Sequence, residues 1–287
     1  MLQLKIEQCL RDEADRISDL LEERGAVSVT LTDRYDSPIL EPEIGTTPLW
    51  FDVVIHALFE GSQEANLAQN DLAKDYPHLN AIIEELPEQD WERVCLADFV
   101  PQKFGKRLWI CPSWLTPPEP TAINLTLDPG LAFGTGTHPT TALCLTWLEQ
   151  ASLSNKRVID YGCGSGVLAI AASMLGASHV DAVDLDEQAL IATRSNAINN
   201  HLSTDELSVT MPHALHAPVD LLIANILLKP LLQLKSEFRR LLKPGGVLVV
   251  SGILNDQTAE LRSAYQDDFV YQSSSSQEEW SLMVFSG

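Results

Sequence analysis

The chain has 287 residues, 45% of them hydrophobic, which is enough to bury a sizeable core and long enough for two domains. Its formal net charge of −21 is concentrated at the front, where residues 1–100 hold 22 acidic and 7 basic side chains against 18 and 12 in residues 101–287. Such a surface repels nucleic-acid phosphates and attracts basic partners, though acidity also serves solubility or a salt-adapted host; no apolar run spans a membrane, and five scattered cysteines without a C-x-x-C pair fit a reducing cytoplasm.

Leu2 to Gln8 alternates apolar and polar residues like a half-exposed strand, and Cys9 to Gly25 then has helical apolar spacing ended by glycine. Val27 to Leu31 returns to strand alternation, Asp36 to Pro48 is a proline- and acid-rich loop, and Leu49 to Phe59 is the strongest strand of this region. Gln63 to Glu85 reads as a helix broken at Pro77. Together these make most of a small α+β ferredoxin-like domain over residues 1–90. Nothing in it looks catalytic, since His56 and His78 have no carboxylate or second histidine beside them in sequence. Residues 91–106 then form a connecting stretch, and a second domain over 107–287 opens with the apolar strand Arg107 to Cys111 and the strand Ile123 to Leu127.

Two glycine-rich stretches follow. Asp128 to Thr141 reads D-P-G-L-A-F-G-T-G-T-H-P-T-T, polar and poor in packing residues, immediately ahead of a helix beginning near Thr140; a mobile flap from Phe133 to Thr141 is the mechanical expectation. Val158 to Gly166 reads V-I-D-Y-G-C-G-S-G, a buried strand emptying into a loop of three glycines, Gly162, Gly164 and Gly166, before a helix from Val167 to Gly176. Strand, glycine turn and helix open a doubly wound nucleotide-binding fold, but a dinucleotide site spaces its glycines G-x-G-x-x-G, and here that third position is Val167. A second acid, Asp184, closes the next strand. The alternation then runs helix Glu187 to Asn200, strand Leu207 to Met211, strand Val219 to Ala224, helix Pro230 to Leu242 and strand Val247 to Ser251, with Lys243-Pro244-Gly245-Gly246 as a turn. Helix Asp256 to Tyr265 leads to two strands, Phe269 to Gln272 and Trp280 to Phe285, joined across Ser273 to Glu279 as an antiparallel edge hairpin. The fold class is therefore α/β, a doubly wound Rossmann-like sheet preceded by the ferredoxin-like domain.

D-x-G-x-G-x-G from Asp160 to Gly166 resembles the first motif of the class I S-adenosylmethionine methyltransferases. The stretch from Asp128 to Thr141 resembles, almost letter for letter, the signature of the ribosomal large-subunit protein 11 methyltransferases, the PrmA family. R-L-W-I-C-P-S-W at Arg107 to Trp114, A-N-I-L at Ala224 to Leu227 and S-G-I-L at Ser251 to Leu254 carry the likeness over the whole chain. The resemblance implies S-adenosylmethionine as cofactor and no metal. Its cofactor contacts carry over to Thr141, Gly162, Asp184 and Asn225, with Asp160, Gly164, Gly166, Thr140 and Phe133 around them. It further implies methylation of lysine or N-terminal amines of ribosomal large-subunit protein 11, and with the charge and cysteine usage the expectation is a cytoplasmic monomer without direct nucleic-acid binding. A class I methyltransferase acting on another basic protein, a small molecule or RNA is the alternative.

Methyl transfer to an amine is an in-line displacement whose acceleration can come largely from alignment, so no nucleophile is required, only a deprotonated acceptor and groups to orient it. Asn225 suits the orienting role. In enzymes acting on planar nitrogen the equivalent Asn is followed by prolines and an aromatic, whereas here Ile226, Leu227 and Leu228 follow, which points to an aliphatic amine. His138 is the best offer for a base, with solvent as the alternative proton acceptor.

Overall fold

In the computed structural model, which describes residues 1–35, 37, 39, 45–86, 99–128 and 138–287, the chain divides into two units, Met1–Val94 and Cys95–Gly287. The first unit runs β1 (Leu2–Leu10), α1 (Arg11–Glu23), β2 (Ser28–Asp33), β3 (Asp52–Phe59), α2 (Ser62–Asp75) and β4 (Ala81–Glu85). Its sheet order, β2-β3-β1-β4, is the antiparallel arrangement of a ferredoxin-like fold. One face carries the core, where Leu4, Ile6, Val53, Ile55 and Phe59 meet Ile17 and Leu21 of α1 and Leu72 of α2. Period-two alternation on the strands meets period-3.6 alternation on the helices, as the sequence pattern requires.

The helix expected to reach Glu85 ends ten residues sooner. After Asp75 the chain turns at Pro77, which cannot continue a helix, and Ile82 and Ile83 enter β4, where β-branched side chains pair with β1 at Lys5 and Leu4. His78, isolated in sequence, meets Glu13 across space at 3.1 Å on the exposed surface.

The second unit begins, among the described residues, with a three-stranded sheet ordered β5-β6-β7: β5 (Gln102–Phe104), β6 (Leu108–Cys111) and β7 (Ile123–Thr126). Residues 102–104, assigned by the sequence to the connecting stretch, therefore pair with Leu108 to Ile110 as part of this unit, while residues 91–98 lie outside the described residues. Then follow α3 (Pro139–Gln150), β8 (Arg157–Tyr161), α4 (Val167–Met174), β9 (His179–Val183), α5 (Glu187–Asn199), β10 (Leu207–Thr210), β11 (Val219–Asn225), α6 (Leu228–Leu241), β12 (Leu242–Leu254), α7 (Thr258–Tyr265), β13 (Val270–Gln277) and β14 (Trp280–Ser286). The seven-stranded sheet is ordered β10-β9-β8-β11-β12-β14-β13. Five strands are parallel, and β14 inserts antiparallel beside β12. Both faces are buried, one under α3, α4 and α5 with Val158, Ile223 and Val249, the other under α6 and α7 with Ile159, Leu222 and Leu248. That double burial is why these strands read as continuous apolar runs rather than alternating ones.

Two local expectations change. Lys243 to Gly246, expected as the turn between helix and strand, lies within β12, where pairing jumps from Val219↔Leu242 to Leu221↔Val247. The serine run Ser273 to Ser276, expected to be loop, is strand, paired with Val284, Met283, Leu282 and Ser281. Its partner β14 is buried along nearly its whole length, so register is fixed from that side while the hydroxyls face water at the sheet edge.

Candidate active site

In an open α/β sheet the binding crevice forms beyond the carboxyl ends of the strands where strand order reverses, here between β8 and β11. The loop after β8 is drawn against its neighbour: the amides of Gly162 and Cys163 both donate to Val183 O, at 2.8 and 3.0 Å. Gly162, Gly164 and Gly166 have φ of 83°, 54° and 80°, and a Cβ on Gly162 would lie 2.5 Å from Ile226 Cγ2. The loop thus needs glycine both for its angles and for its proximity to the segment after Asn225.

Helix α5 holds this loop from behind. Buried Thr193 donates through Oγ1 to Gly164 O at 3.0 Å, and Asn196 donates through Nδ2 to Ser165 O at 2.8 Å. Neither residue was anticipated, although a threonine and an asparagine three apart on one helix face just after Asp184 is the signal that could have found them. Asp184 stands half-buried at the end of β9, its Oδ2 accepting from Gly164 N at 2.9 Å and its Oδ1 from Asp186 N at 3.0 Å. Two backbone donors fix the carboxylate's plane. Leu185, also unanticipated, is 82% exposed beside it and offers an apolar surface at the strand end.

Asp160 is wholly buried. Its Oδ2 accepts from Ala169 N at 3.0 Å, capping the first turn of α4 from strand β8, because the N-cap residue Gly166 has no side chain to do so. Its Oδ1 has no hydrogen-bond partner. Burial pushes this carboxyl up to about 7; the Ala169 amide opposes that shift and the nearby Asp184 charge adds to it. Burial likewise pushes the thiols of Cys144 and Cys163 well above their usual range, with Asp160 as a further cause, so neither is an ionised nucleophile.

From the other side comes the start of α3. Pro139 occupies its first turn and His138 is its N-cap, Nδ1 accepting from Thr140 N at 3.3 Å and lying 2.8 Å from Thr140 Oγ1. Burial pulls the His138 pKa down, opposed by Glu278, and the ring stands edge-on to Trp280 at 4.9 Å. His138 thus caps α3 through the same imidazole that the sequence offered as a base. Thr140 and Thr141 are buried, and Asn225 Nδ2 donates to Thr141 Oγ1 at 3.4 Å. Phe133 lies outside the described residues, as do residues 134–137 of the flap expected from Phe133 to Thr141, whereas His138 to Thr141 open α3.

Asn225 itself is set by β12. It pairs with Ser251, Ile226 N donates to Ser251 O at 3.1 Å, and the backbone of Ile226 passes so close to Gly252 that a Cβ there would meet Ile226 O at 2.5 Å. The S-G-I-L string is explained by this close approach. Among the described residues no group of three His, Cys, Asp or Glu side chains is arranged to hold a metal ion.

The chemistry present fits an S-adenosyl group: a carboxylate oriented for sugar hydroxyls, an exposed leucine beside it for a base, a second buried carboxyl oxygen without partner, and a side-chain amide across the sheet's switch point. Residues 1–286 match the family described as ribosomal protein L11 methyltransferase (PrmA). A ribosomal protein L11 methyltransferase of Legionella pneumophila is 57% identical over 283 residues, which are 99% of this chain and 98% of that relative. One of Shewanella woodyi is 47% identical over 289 residues, covering 99% and 98%. The crystal structure of the ribosomal protein L11 methylase of Lactobacillus delbrueckii subsp. bulgaricus matches with a TM-score of 0.61 at 30% identity, covering 65% of this chain and 98% of that one. The chain therefore belongs to the ribosomal protein L11 methyltransferase (PrmA) family.

Proposed function

We infer that this chain is an S-adenosylmethionine-dependent methyltransferase that modifies amines of ribosomal protein L11, on lysine side chains, the chain N-terminus or both. When bound, S-adenosylmethionine supplies a methyl group activated on a sulfonium. The residues' work is then positional. Asp184, held by the amides of Gly164 and Asp186, accepts from the sugar hydroxyls, and Leu185 covers one face of the base. Asn225 carries the reading: its Nδ2 is engaged by Thr141, which leaves Oδ1 to accept an N–H of the incoming neutral amine and turn its lone pair toward the methyl carbon. With His138 Nδ1 spent on the helix cap, the amine's proton leaves to solvent before attack.

The acidic first unit is the part suited to capturing a basic acceptor, and its sign disfavours direct binding to nucleic acid. Among the described residues no helix is long and apolar enough to cross a membrane, and a cytoplasmic monomer completes the reading. Incubating the purified chain with methyl-labelled S-adenosylmethionine and ribosomal protein L11, then hydrolysing the acceptor, should return label in N-methylated lysine or the N-terminal residue. Label on another acceptor and none on that protein would sink the substrate assignment.

A further inference from the structure

Strand β7 is the edge of its sheet, so the outward N–H and C=O of Thr126 have no strand to meet. Asn200, the C-cap of α5, takes both: Thr126 N donates to Asn200 Oδ1 at 2.7 Å, and Asn200 Nδ2 donates to Thr126 O at 2.8 Å and to Asn196 O at 2.8 Å. A side-chain amide thereby substitutes for one more strand residue across 74 positions of sequence. Thr193, Asn196 and Asn200 follow one another at i, i+3 and i+7 on a single face of the helix. The first two grip Gly164 O and Ser165 O. The third grips the strand from which the chain runs through Asp128 into residues 129–137, returning at His138 on α3. One helix face therefore indexes the glycine loop and the root of that stretch to each other.

We propose that Asn200 is a positioning residue that couples occupancy of the glycine loop to β7, so that holding the cofactor stiffens the strand that precedes His138 and Thr141 in the chain. The inference rests on the glycine loop being the cofactor site. Two contacts on rigid backbone, both to one residue, leave β7 little freedom to move independently of α5, and ordering the loop carbonyls damps the same helix.

Hydrogen exchange on the full chain with and without S-adenosylhomocysteine tests this through the amides of residues 161–167 and 123–128. In the wild-type chain both stretches slow; in Asn200→Ala only 161–167 slows. With ribosomal protein L11 as acceptor, Asn200→Ala lowers kcat per cofactor-binding site, the sites counted by calorimetric stoichiometry, about tenfold while cofactor Kd stays within about threefold, and counting sites removes the effect of any unfolded fraction. Asn200→Asp keeps the acceptor for Thr126 N–H but cannot donate to Thr126 O, and it serves if the alanine variant does not fold: slowing at 123–128 falls about twofold or more. Slowing at 161–167 alone in the wild type, or undiminished slowing at 123–128 in either variant, overturns the coupling. Slowing at neither stretch in the wild type overturns the cofactor site itself, and the coupling with it.

Discussion

Replacing Gly252 with alanine isolates the contact that seats Asn225. Gly252 has φ of 84°, and an added Cβ would lie 2.5 Å from Ile226 O, 2.8 Å from its carbonyl carbon and 2.9 Å from its nitrogen. Gly176, with φ of 104° and nothing within 4 Å of the same hypothetical atom, is the internal control, since alanine there meets the backbone penalty without the collision. The penalty for an L-residue in this region is about 1–2 kcal/mol, partly offset by about 0.4–1 kcal/mol of lost unfolded-state entropy. The collision at Gly252 adds an overpacking cost of about 1–3 kcal/mol, because the obstructing atoms are backbone in a packed interior. Gly252→Ala should therefore melt roughly 2–12 °C below Gly176→Ala for a protein of this size, read by circular dichroism. Relief of the clash displaces Ile226 by about half an ångström or more, so kcat with ribosomal protein L11 should also fall about tenfold in Gly252→Ala and stay near wild type in Gly176→Ala. Equal melting temperatures and equal kcat for the two variants would refute the claim that Gly252 makes room for Ile226.

Asp184→Ala removes the acceptor held by Gly164 N and Asp186 N and should raise the calorimetric Kd for S-adenosylhomocysteine about tenfold or more; a change under about twofold would show that the carboxylate does not meet the sugar. Burial raises the folded-state pKa of Asp160 from 3.8 to about 7, so between those values the folded chain binds a proton that the unfolded chain has lost, and stability declines as pH rises through the window. Urea unfolding at pH 5 and pH 8 should show the wild type losing up to about 3 kcal/mol relative to Asp160→Asn, which cannot ionise; parallel losses would place the ionisation elsewhere. His138→Asn preserves a capping side chain for α3 and should keep kcat within about threefold, whereas a drop of about a hundredfold would restore His138 as the proton acceptor.

Much of the fold was legible because burial leaves a periodic trace. The alternation in Leu2 to Leu10 and Asp52 to Phe59, and the apolar runs of Val158 to Tyr161 and Val219 to Asn225, each record how many faces of the strand are covered. Legibility failed where a neighbour, not the segment, decides. The serines of β13 carry no apolar pattern and are strand only because β14 beside them is buried and hydrogen-bonding on that edge. Ala81 to Glu85 is too short for its two isoleucines to declare a period, and β1 imposes it.

The site divides the same way, along the distinction between residues that must be of one type and residues that must have one partner. The placement of Gly162, Asp184 and Asn225 at the strand ends was legible since glycine angles, a strand-end carboxylate and a strand-end amide are local requirements. Asp160 was singled out as a cofactor contact, while its cap on Ala169 of α4 depends on the helix folding back along β8, a fact of tertiary geometry. Thr193, Asn196 and Asn200 look like ordinary polar helix residues until Gly164 O, Ser165 O and Thr126 come to face them. His138 was singled out for its imidazole, and the structure employs that imidazole as an acceptor on a helix cap. A buried hydrogen bond is worth about 1 kcal/mol to stability but costs more to leave unmade, so each such partner constrains its residue as firmly as catalysis would. Among the described residues around this crevice, Asp160, Asp184, Thr193 and Asn196 each hold the loop or the helix after it through a backbone group, as expected where alignment is the chemistry.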